Sequence, residues 1–380
     1  MNKYYHFERN TKHSKLLAEI VNISIESLGE MYLPVQKEFA MMKKKMGKTI
    51  SIEGRNTRYT LINLLGLHKA NSHGIKSYID LKKIVKEQIE KVNTYEGIGE
   101  LGLLIWAISL ISPEDSLKLL TKIDFNNALN QFNDAKAGYT MELSWFLTGL
   151  LFASTFNEKF KGSVETLPPK IYAKIRKNYG GHGIFQHEDT NNLEGKIRAN
   201  IGSFADQVYS IYALSLYSQQ YHNEEALLIT TECANKICEL QSENGEWQWQ
   251  YDSQTGKVVS YFPIHTVHQV ALAPMALFAA QMASGNNYNK FILKGINWLT
   301  ENKFLQNQLI DKSNNAILNK ITPVLNSKLY SFINLLGIEL KPNINKLKIN
   351  YESSSYDFGW ILYTFAGRIN YSSNEQQEEA

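Results

Sequence analysis

Acidic and basic side chains interrupt apolar stretches at a few points of this chain, and those points are where chemistry would sit. Glu142, in Thr140-Met-Glu-Leu-Ser-Trp145, and Asp206, in Ser203-Phe-Ala-Asp-Gln-Val-Tyr209, each break an otherwise apolar helix. An uncompensated charge there is unfavourable, so each needs a partner or a function. Hydrolysis of a glycosidic bond takes two carboxylates flanking the bond. Glu142 and Asp206 lead the candidates, ahead of Glu96, Glu100, Asp252 and Asp357. Capping a neighbouring turn, or pairing with Arg198, is the competing structural role.

Proton abstraction beside the carboxylate of an acidic sugar needs a base, with an acid opposite. Tyr261, His265 and His268 fit that pattern; if the segment is helical, the two histidines share a face. His182 and His187 lie on the glycine-rich turn Gly180-Gly-His-Gly-Ile-Phe-Gln-His187, where backbone can approach a ligand closely. Arg198 could meet an acidic sugar. Gln207, Tyr209 and Asp252 complete the set of candidate binding residues. The histidine spacing is not the i, i+4 of the zinc helix motif, so no metal is expected. Cys233 and Cys238 diverge by about 140° on a helix and cannot share one.

Flat rings accompany these groups. Trp247, Trp249 and Tyr251 alternate along Gln241-Ser-Glu-Asn-Gly-Glu-Trp-Gln-Trp-Gln-Tyr-Asp252, which places all three on one side of an extended segment. With Trp145 and Trp360 they would form stacking platforms for sugars at the rim of a pocket, core packing being the alternative.

The elements that must position these groups are helices. Mostly apolar stretches near Tyr59–Leu67, Glu100–Ile111, Tyr139–Phe152, Gly202–Tyr217, Val267–Met282 and Tyr356–Ile369 read as buried helices. One-faced partners follow, as in Leu81, Ile84, Val85, Ile89 and Val92 (with Ser77 as N-cap), Lys170–Asn178, Glu224–Leu240 and Tyr288–Glu301. Two further helices are predicted near Lys15–Met31 and Pro34–Met46, and no convincing strand alternation is seen. Inner helices apolar on every side, paired with one-faced outer helices, suit a closed ring better than an open solenoid. Pro274 should kink its helix or mark its start.

Lys plus Arg number 40 against 37 Asp plus Glu, a formal charge of +3 with the basic residues scattered, so nucleic acid is not an expected partner. The first ten residues have no apolar h-region and no stretch is long enough to span a bilayer, so a cytoplasmic protein is expected. The expected partner is a small-molecule or oligosaccharide ligand, without a cofactor.

Gln241, Gly245 and Trp247 make a Gln-x3-Gly-x-Trp pattern that resembles the repeats of terpenoid cyclases and protein prenyltransferases. Lys294-Gly-Ile-Asn-Trp298-Leu299 is similar to the front half of that repeat. The layout also resembles the six-hairpin glycosidases and related polysaccharide lyases and sugar epimerases. The resemblance implies an all-α (α/α)6 toroid over residues 55–371, after an N-terminal helical extension, 1–54, and before a polar tail, 372–380. The Asp-x-Asp-Asp run of the cyclases and the cysteine-bearing zinc sets of prenyltransferases and lanthionine cyclases are absent from the sequence. Weight therefore shifts to a carbohydrate enzyme, either a glycoside hydrolase or a uronate lyase or epimerase. A toroid that binds an isoprenoid or other apolar ligand, and a non-catalytic helical scaffold, stay open.

Overall fold

The computed structural model describes residues 6–8, 11–47, 49–125, 139–156, 158–188, 200–302, 309–323 and 347–369. Arg198 and the polar tail lie outside them.

The helices are α1 (Lys12–Met31), α2 (Thr57–Ser72), α3 (Leu81–Glu90), α4 (Ile98–Ile111), α5 (Ser116–Lys122), α6 (Thr140–Phe156) and α7 (Glu158–Val164). They continue with α8 (Leu167–Lys177), α9 (Phe204–Tyr221), α10 (Glu224–Glu239), α11 (Ala273–Ser284), α12 (Asn289–Glu301) and α13 (Ser355–Phe365). Helices α2, α4, α6, α9, α11 and α13 form the inner ring, each packed on the next, α11 reaching α13 through the turn His268–Leu272 that precedes it, and α13 returns to α2 to close it. Their sequences explain this place. In α4 every residue but Leu110 is buried, so no face is left for water. Outer helices are one-faced: α3 buries Leu81, Ile84, Val85 and Ile89 and turns its lysines outward. Its N-cap is Asp80, whose carboxylate accepts from the Lys83 N–H, rather than Ser77.

Small residues let the inner helices touch. A Cβ on Gly66 would lie 2.2 Å from the Gly359 carbonyl oxygen, and one on Gly149 equally close to that of Gly102. These two contacts seat α2 on α13 and α4 on α6 at backbone distance. Halfway along the ring axis an aromatic plug separates the two mouths. Trp106 stacks on Phe152 and Tyr212 at 5.3 and 5.6 Å and meets Trp360 and Tyr363 at 5.9 and 5.2 Å.

Two predicted features differ. Helix α1 is not set apart from the ring; it packs against α13 as that helix's outer neighbour. The helix predicted over Pro34–Met46 is instead strand β2 (Glu38–Met46), which pairs with β1 (Tyr32–Leu33), β3 (Thr49–Arg55) and Glu352–Ser354. Its Met, Lys and Ala residues favour helix in isolation, but pairing on both sides outweighs a preference of a few tenths of a kcal/mol per residue. Short ladders also join β4 (Ile201–Ser203), β5 (Gln250–Asp252) and β6 (Lys257–Ser260) in that order.

Pro274 marks the start of regular α11, as one of the two sequence alternatives required. The turn before it, His268–Leu272, is π-helical, and the Ala273 N–H donates to the His268 carbonyl. Proline has no N–H to return to the helix, so it sits where the regular helix begins, and nearby Thr364 Oγ1 donates to the Ala271 carbonyl at 3.2 Å. Among the described residues no helix is long and apolar enough to cross a membrane.

Candidate functional site

The inner helices run parallel, so their N-termini meet at one mouth of the ring, and the polar candidates collect there. Capping geometry explains the register. In α9 the Ser203 hydroxyl accepts from the Asp206 N–H while the Asp206 carboxylate accepts from the Ser203 N–H. Glu100 holds the same third position in α4, where its Oε2 accepts from the N–H of Glu96 at 2.7 Å. Acids at this position complement the positive end of a helix.

Glu142 is tied into this frame. Its Oε2 accepts from the Gly99 N–H of the neighbouring helix at 2.8 Å, and its Oε1 meets Arg58 Nη1 at 2.8 Å. The same guanidinium donates from Nε to Glu100 at 3.2 Å, so Arg58 bridges three inner helices. Gly99 is required beside it, since a Cβ there would stand 2.2 Å from Glu142 Oε2. Glu142 is 1% exposed and serves as an interhelical cap and ion-pair partner.

Asp206 has a different setting. It is fully buried, yet His187 lies over it with Nδ1 3.2 and 3.1 Å from the two carboxylate oxygens. The His187 side chain is 38% exposed and its ring lies 4.5 Å from that of Tyr139. Burial works against a charge on the imidazole, but Asp206 beneath it prevails, and the His187 pKa is raised.

Across the mouth the partly exposed Trp249 lies parallel to His268, at 5.8 Å and 7°, and 4.9 Å from His265. Burial, with Lys320 beyond it, lowers His265 to about 3. Burial and His265 hold His268 well below the usual range, and its buried Nδ1 has no partner among the described residues. Both imidazoles are therefore neutral at ordinary pH. Tyr261, partly buried against the core, follows directly on β6, whose last residue Ser260 accepts from the Trp249 N–H at 3.0 Å.

The two halves of the mouth are built by one repeated device. Gly183-Ile-Phe185-Gln-His187 and Gly245-Glu-Trp247-Gln-Trp249 each begin on a glycine with positive φ, 73° and 105°. The following aromatic is fully buried. Its N–H donates to a glutamine 22 residues on, Phe185 to Gln207 at 2.7 Å and Trp247 to Gln269 at 2.8 Å. The chain then bends at His187 and at Trp249, turning one onto Asp206 and the other onto His268.

That bend corrects the predicted wall of three rings. Trp247 and Tyr251 are fully buried, the indole N–H of Trp247 donating to the Ile237 carbonyl at 3.1 Å, so neither offers a face to a ligand. A register shift between Gln250 and Tyr251 adds to the break in alternation. Trp249 alone of the three faces the mouth. Trp360 belongs to the aromatic plug and Gln207 to the clamp just described. Tyr209 is 4% exposed beneath Trp145, their rings 4.9 Å apart. Asp252 closes the β5–β6 turn, accepting from the Gln254 N–H at 2.7 Å. His182 is exposed on the outer side, where its carbonyl lies against Gly256 and away from the mouth.

Sequence reading did not select Arg58, Tyr59 or Tyr356, and did not favour Asp357. Asp357 is 2% exposed at the third position of α13. Burial pushes its carboxyl well above the usual range, only partly offset by Tyr356 and the Ser354 backbone, and its Oδ1 has no partner among the described residues. The rings of Tyr59 and Tyr356 lie 4.5 Å apart beside it, and burial, then Asp357, raises Tyr59 to about 12. The spacing Ser354-x-x-Asp357 repeats Ser203-x-x-Asp206 and was the available signal.

The sequence matches no protein-family profile and no curated protein. The folded chain, by contrast, is similar to several solved structures. One is a possible member of the GH105 family from Klebsiella pneumoniae, with a TM-score of 0.61 at 10% identity over 95% of this chain and 94% of that one. Another is a sugar epimerase from a ruminal bacterium, with a TM-score of 0.59 at 11% identity over 95% of this chain and all of the other. A third is an unsaturated glucuronyl hydrolase from a Bacillus species, with a TM-score of 0.54 at 14% identity, covering 93% and 95% of the two chains. The architecture is thus an (α/α)6 toroid, the fold expected from the alternation of apolar and one-faced helices.

Proposed function

We propose that this chain is a carbohydrate-active enzyme that takes one end of an oligosaccharide into the mouth formed by the inner-helix N-termini. There, Trp249 is the stacking surface and His187, oriented by Asp206, transfers the proton. The observation that carries this reading is the His187–Asp206 pair. A buried carboxylate accepts from one ring nitrogen and raises the imidazole pKa, leaving the other nitrogen for a substrate. The names of the similar structures, a glucuronyl hydrolase and a sugar epimerase, support a sugar as ligand. Arg58 already engages Glu142 and Glu100, so imidazole acid–base chemistry of the lyase or epimerase kind fits better than hydrolysis by two carboxylates. Asp357, kept protonated by burial, favours a second reading in which a carboxylic acid protonates a leaving oxygen.

Proton NMR on uronate-ended oligosaccharides in deuterated water separates these outcomes. Deuterium appearing at the carbon beside the carboxylate, or an unsaturated product, marks lyase or epimerase chemistry. New reducing ends without exchange mark hydrolysis. His187→Asn should abolish either while keeping the circular dichroism of the parent. Full turnover in that variant would remove His187 from the chemistry.

A further inference from the structure

Three acids at the sugar mouth are followed, three residues later, by an aromatic ring that carries a polar hydrogen: Glu142 by Trp145, Asp206 by Tyr209 and Asp357 by Trp360. All lie on inner helices, so each ring stands about one turn deeper than its acid, on the same face. The repeat builds a second tier between the mouth and the aromatic plug. Its members touch, the rings of Trp145 and Tyr209 lying 4.9 Å apart and those of Tyr209 and Trp360 5.6 Å apart. The partly exposed Tyr59 and Tyr356 stand beside Tyr209, so the tier is approached from the mouth.

Trp360 is fully buried, and Trp145 and Tyr209 are nearly so. A buried indole N–H ordinarily finds an acceptor. Here Nε1 of Trp145 and Nε1 of Trp360 are both turned toward the Tyr209 phenol, yet neither closes a hydrogen bond. Trp106 and Trp298 also carry unpartnered indole N–H groups, but one belongs to the plug and the other to outer helix α12. Burial raises the Tyr209 pKa, so the phenol keeps its proton, and an oxygen that faces two N–H groups is left to give that proton away. The three side chains of the tier thus offer three hydrogens from neutral groups. A carboxylate, which only accepts, matches them, whereas a sugar hydroxyl would bring a fourth hydrogen.

We infer that Trp145, Tyr209 and Trp360 form the seat of a carboxylate, and that they make the mouth specific for an acidic sugar at the end of the chain it takes in. The inference rests on the reading of this mouth as a sugar site and names the group by which the sugar is chosen.

The test reads the indole N–H signals of the full chain by nitrogen-15 NMR. Six tryptophans give six signals, and Trp145→Phe and Trp360→Phe assign two of them. The probes are glucuronate, galacturonate and mannuronate, each beside its neutral parent sugar. At least one acid should move the Trp145 and Trp360 protons to lower field and leave Trp298 in place, and its neutral parent should move neither. Tyr209→Phe should weaken that acid about ten- to a hundred-fold, the scale of one hydrogen bond to a charged group, and leave the neutral sugar unchanged. A merely structural role would weaken both alike. His187→Asn should lose turnover and keep both indole shifts. Turnover lost in that variant with silent indoles in the parent would overturn the tier and spare the proton-transfer reading; shifted indoles with full turnover would do the reverse. Acids and neutral sugars shifting the two signals alike, Tyr209→Phe weakening both alike, or no acid moving either signal would each overturn the proposal.

Discussion

Replacing Asp206 by Asn tests the proton-transfer pair with almost no change of shape. The carboxylate accepts from the Ser203 N–H at 2.8 Å, from its hydroxyl at 2.7 Å and from His187 Nδ1 at 3.1 Å. An amide can keep its oxygen toward Ser203 only by turning its NH2 to His187, which forces the imidazole to accept there and to carry its proton on Nε2. A hydrogen bond to a charged group contributes about 1.5–3 kcal/mol and a neutral one about 0.5–1.5. Because the His187 side chain is 38% exposed, solvent screening places the difference near the low end, about 1 kcal/mol. For 380 residues the unfolding entropy is about 0.8 kcal/mol/K, so the melting temperature should fall by about 1–2 °C at neutral pH. The sign with pH is definite. The folded pKa of His187 is raised, so its extra stability is fully present below the unfolded value of about 6.5 and is lost as pH rises through the folded value. The deficit of Asp206→Asn should therefore be largest near about pH 6 and smallest near about pH 9. Turnover should fall roughly 100- to 10,000-fold, as when a positioned acid–base group is lost. Differential scanning calorimetry across pH and turnover on the substrate found by NMR give both numbers. A deficit that is flat or grows toward alkaline pH, or turnover within a few-fold of the parent, would refute the pairing argument.

Trp249→Ala removes a stacking face of about 1 kcal/mol, so KM should rise roughly five-fold with kcat nearly unchanged in steady-state kinetics. Arg58→Met leaves Glu142, 1% exposed, without its cation; a cost of about 3 kcal/mol should lower the melting temperature by about 4 °C. Trp106→Ala opens the plug and should cost about 3–5 kcal/mol, with a matching loss of near-ultraviolet circular dichroism. Asp357→Asn should make the protein more stable at high pH by calorimetry. The raised folded pKa of that acid is a penalty that grows above its unfolded value of about 3.9, so the gain should vanish near about pH 4.

The ring was legible because an inner helix must be apolar on all sides, and Ile98–Ile111 can be read that way without a structure. Strand β2 was not, since Glu38-Phe-Ala-Met-Met-Lys-Lys-Lys-Met46 has helical preferences and its pairing partner, Glu352–Ser354, lies some three hundred residues away. Asp206 was singled out for a sound reason, a charge in an apolar helix. Its partner His187 could be placed over it only through the bend after Phe185. The same bend made two-residue alternation misleading for Trp247 and Trp249. The repeated Gly-x-aromatic-Gln pattern would have signalled it, but only when Gly183 and Gly245, 62 residues apart, are laid side by side. Glu142 shows the limit of the charge argument: the required partner was real, and it was Arg58.

Parallel inner helices give the two mouths opposite electrostatic characters, and this sorts their residues before any function acts. The positive helix ends gather Glu100, Glu142 and Asp206, and the negative ends gather Lys69 and Arg368. Such placement stabilises each charge by about 0.3–1 kcal/mol, enough to explain a partly exposed carboxylate but not a buried one, whose desolvation costs several kcal/mol. Glu142 meets that cost with Arg58 and the Gly99 N–H, and Asp206 with Ser203 and His187. Asp357 meets it by remaining protonated, which forfeits the helix-end stabilisation that would have placed it there. A neutral carboxyl beside Tyr59 and Tyr356 is thus the member of the ring that the helix dipole does not explain; it is held by Tyr356 and the Ser354 backbone, and in the second reading proposed above its proton goes to a bound ligand.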